Sequence, residues 1–526
     1  MVTTADARSP EDVVGPELID QLVAAIVASP RGDRHTVLAP FTGKPIVDLP
    51  VSSVADVAAA YRAAREAQRA WADRPVHERA RIIGRIHDLI LDRQSVLADL
   101  IQTETGKARR DAFEEIGNAA LAARYSAARG PRLLRDRRRL GLAPGLTRAL
   151  EVRHPKGVVG IISPWNYPLT LGIGDHLPAF MAGNAVVHKP DPQTSLTALL
   201  ARATAIEAGL PEGLWQIVVG DGATVGGAVV EGADFVSFTG STAVGRIVGA
   251  QAGERLVGAS LELGGKNPMV VFDDADLDRA TECAVRACFA NAGQICIGIE
   301  RLYLAEPIYD EFLDRFVARI DKLRVGAAFD YSADVGSLTS QAQLDKVVRH
   351  VDDAVAKGAT VVTGGHRLPD AGPWFFAPTV LANARSGMLV MDEETFGPVV
   401  SVHRFTSWDE AVAAANDTPY GLSASVWTGN LRRGIAVARR IRAGAVNVNE
   451  GYGAAFGSHD LPSGGMGASG VGRRHGRDGI LRFTEPQAIA VQRLHGITPL
   501  PWQRDYGEFA KVMTASLRAM RRLGRP

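Results

Sequence analysis

Cysteine is almost missing from this chain, with three residues in 526. Three thiols cannot make a disulfide framework, Cys283 and Cys288 fall inside one helical run, and the spacing fits no zinc pattern. These absences predict a reducing, cytoplasmic setting and no metal. Excess charge is missing too: Lys and Arg number 59 against 58 Asp and Glu, a formal net charge of +1. Such a balance offers no electrostatic footprint for nucleic acid. No apolar run reaches the ~18 residues of a membrane span, and the first twenty residues lack the basic-then-apolar order of a signal peptide. What remains is an ordinary globular composition, 46% hydrophobic and 22% charged. Its length predicts two or three folding units and its partners are expected to be small molecules.

From Ser53 to about residue 129 apolar residues recur at three and four with Arg, Asp and Glu between them, the pattern of a helical layer. A basic segment with Gly and Pro follows, "LLRDRRRLGLAPGLTRALEVRHPKG", and reads as a linker or hairpin with a solvated arginine run. After Lys156 short apolar runs such as "GVVGIISPWN", "GNAVVHKPD" and "ADFVSFTGS" alternate with helical patterns. Strands without polar alternation, joined by helices, predict a parallel sheet covered on both faces, hence a doubly wound nucleotide-binding sheet. A second strand and helix series from "LELGGK" to "GAVNVNEG" predicts a second α/β domain. The tail "WQRDYGEFAKVMTASLRAMRRLGRP" reads as a basic amphipathic helix, expected to dock on protein rather than on a membrane surface.

Several strand ends carry groups able to do chemistry, each with a plainer reading beside it. In "FTGSTAVG", Gly240, Ser241 and Gly245 open a helix where backbone N–H groups could approach a phosphate, although glycine is common at any strand-to-helix turn. Lys189 of "HKPDPQTS" ends a strand at the edge where ligands of such sheets lie, unless it is a surface lysine. In "SPWNYP" two prolines stiffen the loop that carries Trp165 and Asn166, so the Asn166 amide could serve as an oxyanion donor or as a turn residue. Glu262 of "LELGGK" could be a half-buried base or one half of a salt bridge. Cys296 stands in "NAGQICIGIER", just after a helical run breaks at Gly293.

Taken in order, "PWN", "HKP", "FTGS", "ELGGK", "GQIC" and "ETFGP" resemble the aldehyde dehydrogenase superfamily over nearly the whole chain. The resemblance implies that Cys296, as thiolate, attacks an aldehyde to give a thiohemiacetal whose oxyanion is held by Asn166 and the Cys296 N–H. Glu262 would then activate water against the thioester. It implies cofactor contacts at Trp165, Lys189, Gly240, Ser241, Gly245, Glu394 and Phe396, and packing roles for Cys283 and Cys288. Where family members that prefer NAD carry glutamate, three residues after the lysine, this chain has Pro192. With His188 adding possible positive charge, NADP is expected slightly ahead of NAD, although Asp191 opposes it.

Four segments, "SPWNYPLTL", "ELGGKNPM", "NAGQICIGIER" and "GGMGASGVGRRHG", are similar to an actinobacterial succinate-semialdehyde dehydrogenase type, and Arg301 falls where many members carry an arginine that could meet a substrate carboxylate. Gly174 and Asp175 stand where better-understood succinate-semialdehyde enzymes carry an arginine and often a lysine, and Ser463 replaces the usual aromatic of "PFGG". An apolar aliphatic or aromatic aldehyde is therefore the alternative substrate. The alternative from another class is a catalytically silent binding member of the family.

By resemblance the fold is α/β. A doubly wound parallel-sheet cofactor domain would occupy residues 1–138 and 158–264 and an α/β catalytic domain residues 265–464. A small oligomerisation arm with the C-terminal tail would comprise residues 139–157 and 483–526, implying a homodimer or homotetramer.

Overall fold

The computed structural model describes residues 2–3, 14–141, 147–493, 499, 502–503 and 505–522. The expected helical layer is four helices: α1 (Val54–Ala72), α2 (Val76–Asp92), α3 (Gln94–Thr105) and α4 (Arg109–Leu134). Helix α1 starts where Ser53 accepts a hydrogen bond from the Asp56 N–H and the Asp56 carboxylate accepts one from the Ser53 N–H, a reciprocal cap. Its buried residues Val57, Ala60, Tyr61, Ala64 and Trp71 follow the helical spacing that the sequence showed.

Two large sheets hold most of the strands. The first has strands β1 (Val158–Ile162), β2 (Ala185–Lys189), β3 (Trp215–Ile217), β4 (Phe235–Thr239) and β5 (Gly258–Glu262). The second holds β6 (Asn267–Val271), β7 (Ile299–Ala305), β8 (Thr360–Thr363), β9 (Thr379–Ala382), β10 (Val399–Phe405), β11 (Ser423–Trp427) and β12 (Ala445–Val448). A two-residue strand, β13 (Gly470–Val471), returns to the first sheet. The strand orders are β13-β5-β4-β1-β2-β3 and β8-β9-β10-β7-β6-β11-β12. All pairings are parallel except β13 with β5 and β8 with β9. In β2, β6, β7 and β11 every residue is buried, which explains runs of Val, Ile and Leu without polar alternation.

The chain divides into two compact units, residues 1–133 with 155–484, and residues 134–154 with 485–526. Both large sheets lie in the first unit, and the change from one sheet to the other falls between Glu262 and Asn267. The smaller unit contains a three-stranded sheet in the order Thr484–Gln492, Thr147–Pro155, Arg137–Arg139. The basic segment read as a linker or hairpin is thus an antiparallel pair, and Glu151 faces both Arg139 and Arg153. Residues 142–146, 494–498, 500–501, 504 and 523–526 of the expected arm and tail lie outside the described residues. The tail helix Tyr506–Arg522 exists as read, with none of its described side chains buried. Among the described residues no helix is long and apolar enough to cross a membrane.

Candidate active site

Helix α5 (Pro168–Ile173) and helix α6 (His176–Ala182) follow β1; α7 (Thr242–Glu254) follows β4, and α8 (Leu277–Phe289) precedes the cysteine loop. After α8 the chain enters the left-handed region three times in succession, at Asn291 (φ 50°), Ala292 (φ 52°) and Gly293 (φ 72°). Only glycine fits the third position, because a Cβ there would stand 2.0 Å from the Gly397 carbonyl oxygen. This turn sends Gln294, Ile295 and Cys296 back across the end of the first sheet. The Cys296 carbonyl is then pinned by Asn267 Nδ2 at 2.8 Å, and the same amide donates to Gly298 at 2.7 Å.

Two cavities meet at the thiol. One, of about 210 Å³, is bordered by Tyr167, Leu171, Ile295, Ile297, Tyr452 and Phe456, with Glu114, Glu115, Asn118 and Thr170 as its polar neighbours. The other, of about 220 Å³, is bordered by Trp165, Gly240, Ser241, Glu262, Glu394 and Phe396, with Gln343 and Lys346. Cys296, Asn166 and Leu171 border both. The structure therefore brings together Cys296, Asn166 and Glu262, which are far apart in the chain, with five of the seven residues expected at a cofactor.

Asn166 is held from both ends. Its Nδ2 donates to the Gln294 carbonyl at 3.1 Å, and its own carbonyl accepts from Lys107 Nζ at 2.7 Å and Asn291 Nδ2 at 3.1 Å. Lys107 is fully buried against Glu115 at 2.8 Å and lies 3.9 Å from the centre of the Tyr167 ring. Sequence reasoning missed this lysine: it falls between two helices, where no periodicity marks it, and only its pairing with a buried acid shows its importance. Burial pushes the Glu115 carboxyl up, against the pull of Lys107 and the Leu169 and Thr170 N–H groups.

Glu262 is 8% exposed, and its Oε1 has no hydrogen-bond partner among the described residues. Burial pushes its pKa up to about 7 against the pull of Arg474 and Arg482. The half-buried Cys296 thiol is pushed up to about 12 by burial, with Glu394 adding to the rise. In the resting protein the sulfur keeps its proton, because apolar surroundings penalise the anion.

On the second cavity, Trp165 and Phe396 meet edge to face with ring centres 5.5 Å apart. Ser241 caps α7 by accepting from the Val244 N–H at 3.3 Å. Glu394 accepts from the Gly265 N–H at 2.8 Å, while Glu300 holds the Thr395 and Phe396 N–H groups at 2.9 Å each. An aromatic slot beside a helix N-terminus, with a carboxylate at its rim, fits the nicotinamide, phosphate and ribose parts of a dinucleotide.

Other expected positions fall elsewhere. Lys189 is 5% exposed at the end of β2, outside both cavities and beside Gly226. Gly245 borders neither; a Cβ there would stand 2.3 Å from Leu263 Cδ2, so helix packing accounts for that glycine. His188 carries no charge at neutral pH, since it is fully buried against His176 and Trp215, bonded to Ser163 Oγ at 2.8 Å, and held well below the usual histidine range by burial. Its proposed help to a 2′-phosphate is withdrawn. Arg301 is 1% exposed; its guanidinium donates to the carbonyls of Lys266, Ala414 and Ala415 and to the Tyr303 hydroxyl. Committed to the backbone inside β7, it does not reach a substrate in either cavity.

The protein named "Putative succinate-semialdehyde dehydrogenase (NADP+)" of Mycolicibacterium smegmatis is 51% identical over 483 residues, 92% of this chain and 93% of that protein. The crystal structure of an NAD-dependent aldehyde dehydrogenase from Sinorhizobium meliloti superimposes with a TM-score of 0.85 at 36% identity, covering 90% of this chain and 94% of its own. That of an Escherichia coli NADP-dependent enzyme does so with a TM-score of 0.85 at 34% identity, covering 88% and 96%. With residues 26–489 matching the profile of the aldehyde dehydrogenase family, the chain belongs to that family.

Proposed function

We propose that the protein, an aldehyde dehydrogenase, oxidises its aldehyde to the carboxylic acid by covalent catalysis at Cys296. The observation that carries this reading is that Cys296 and Asn166 border both cavities, so one sulfur is reached from an apolar side and from the side that Glu262, Trp165 and Phe396 share. Bound NADP or NAD supplies the hydride acceptor. Trp165, Gly240, Ser241, Glu394 and Phe396 hold its nicotinamide and phosphate end, and Lys189 belongs to the region of its adenosine ribose.

Since the resting sulfur is protonated, attack requires a base, and Glu262 with a pKa of about 7 is matched to take that proton at neutral pH. The sulfur bonds the carbonyl carbon, and the Asn166 amide with the Cys296 N–H receives the oxyanion. Once hydride has left the tetrahedral carbon, the acyl group remains as a Cys296 thioester. Glu262 passes the thiol proton to solvent, then takes a proton from water as that water adds to the thioester carbon and returns it to the sulfur as the C–S bond breaks, so that the acid and the thiol are released.

The relative's name makes succinate semialdehyde the first substrate and NADP the first cofactor to test. A second reading, an apolar aliphatic or aromatic aldehyde, is favoured by the cavity itself. Aromatic and branched side chains dominate it, no lysine or arginine borders it, and the two acids that do are matched by Arg286 and Lys107. The same reading places the protein in the cytoplasm and gives the small unit a role in a homodimer or homotetramer.

The test follows reduced cofactor from semialdehydes, aliphatic and aromatic aldehydes with NAD and NADP, with and without coenzyme A, in wild type and Cys296→Ala. Turnover that depends on the thiol but not on coenzyme A is expected. Full turnover in the mutant would overturn the covalent reading, and absence of turnover with every aldehyde would favour a silent binding protein.

A further inference from the structure

Behind Glu262, on the face of the first sheet that its side chain shares, lies a buried charge cluster for which the reaction above has no role. Asp175, just ahead of α6, is 1% exposed and accepts from Arg474 twice, Nε to Oδ1 at 2.8 Å and Nη2 to Oδ2 at 2.7 Å. Arg482, following α9 (Gly476–Leu481), donates to the same carboxylate at 2.5 Å, and Ser237 Oγ adds a fourth bond at 2.7 Å.

Strand register ties this cluster to Glu262. Ser237 and Thr239 of β4 lie opposite Ser260 and Glu262 of β5. Residues two apart on a strand point to one face. Arg482 donates to Ser260 Oγ at 2.5 Å and Arg474 to Thr239 Oγ1 at 2.7 Å, so the guanidinium groups bracket the strand positions next to Glu262. Asp175, Arg474 and Arg482 together carry one net positive charge, and an ionised Glu262 brings the buried sum to zero.

We propose that Asp175 is a positioning residue that sets the charge balance around Glu262, so that the Asp175, Arg474 and Arg482 cluster fixes the pH above which Glu262 works as base. The inference rests on the reading of Glu262 as that base. Around Glu262 the other charged or titratable groups are Arg473, on the loop after β13, the Cys296 thiol, and Glu394 and Lys346, which border the same cavity. His475, next to Arg474, is kept neutral because burial holds it well below the usual histidine range. Asp175 itself stays ionised: burial opposes its charge, but Arg474 and Arg482 overcome that penalty and lower its pKa.

The experiment is the pH dependence of steady-state aldehyde oxidation in the full-length protein. Asp175→Asn removes the negative charge that Arg474 and Arg482 share next to Glu262, so the acidic limb moves to lower pH, by about one unit on the scale of a neighbouring charge. Arg474→Gln removes a positive charge and moves the limb to higher pH by a similar amount, while Arg474→Lys keeps it near wild type. Damage that is merely structural would lower activity without moving the limbs in opposite directions. Folded variants with unmoved limbs, or limbs moved the same way, overturn the proposal. If Asp175→Asn fails to fold, the comparison of Arg474→Gln with Arg474→Lys decides, and equal limbs in those two overturn it. Glu262→Gln separates the two claims: a wild-type limb in that variant sinks the base itself, whereas a limb lost there but unmoved in the cluster variants sinks only the cluster's role.

Discussion

Asn166 reaches Gln294 across 128 residues of sequence, with Nδ2 3.1 Å from the carbonyl oxygen. That bond joins the loop after β1 to the loop that carries Cys296, and Lys107 fixes Asn166 from behind through its carbonyl. An amide held in this way is already oriented when charge develops on a substrate oxygen, so no reorganisation is needed at that moment.

Asn166→Ala is therefore expected to lower kcat by about 10²- to 10³-fold, the effect of removing one oxyanion donor. KM should change much less, because the donor acts chiefly on the developing anion. Steady-state kinetics with a retained circular-dichroism spectrum is the check; a loss confined to KM would place Asn166 in ground-state binding instead.

Glu262→Gln removes the base for both thiol attack and acyl-enzyme hydrolysis, so both steps are expected to slow. Stopped-flow traces would show reduced cofactor forming slowly from the first turnover, without a fast burst. In wild type the raised carboxyl, with a pKa of about 7, is protonated below that pH and cannot accept a proton from water. Hydrolysis should therefore fall as pH drops through 7 and level off above it. Unchanged steady-state hydrolysis in the mutant would require another base.

How much of this was legible beforehand depends on the kind of signal. The parallel strands announced themselves through uninterrupted apolar runs, because burial on both faces leaves no polar period to hide them. Glu262 and Asn166 sat at or just past strand ends and Cys296 after a broken helix, each beside prolines or glycines that mark the turn in the sequence. Lys107, Asp175 and Arg474 gave no such sign, since their importance arises from partners 59, 62 and 299 residues distant that only folding brings near. Arg301 misled for the converse reason: its place in the sequence fits a substrate ligand, but β7 turns it inward to carbonyls that have no other mark in sequence.

Pro192 opens a short 3₁₀ turn, Pro192–Thr194, capped by Asp191, which accepts from the Gln193 N–H at 3.0 Å. A glutamate there would add the carboxylate that a ribose 2′-hydroxyl can bond and a 2′-phosphate must avoid. Pro192→Glu is expected to shift the ratio of kcat/KM values from NADP toward NAD by about 1–2 kcal/mol, the scale of one charge-assisted hydrogen bond. An unchanged ratio would show that the position does not decide cofactor choice.

The buried pair Lys107 and Glu115 gives the last expectation, and it concerns stability before activity. Both side chains are fully excluded from water, 2.8 Å apart, and Glu115 also accepts from the Leu169 and Thr170 N–H groups at the start of α5. Removing only the cation leaves a carboxylate with backbone donors but no counter-charge, a change that costs about 3–5 kcal/mol at a buried pair. Lys107→Met should lower the unfolding free energy measured by chemical denaturation by that amount. Because Lys107 also holds the Asn166 carbonyl, the folded fraction should lose kcat as well. A variant with full stability would mean that Glu115 takes up a proton readily once its partner is gone, a step that its raised pKa makes easier. In that case the loss of kcat would remain, since a neutral Glu115 does nothing to replace the bond from Lys107 Nζ to Asn166.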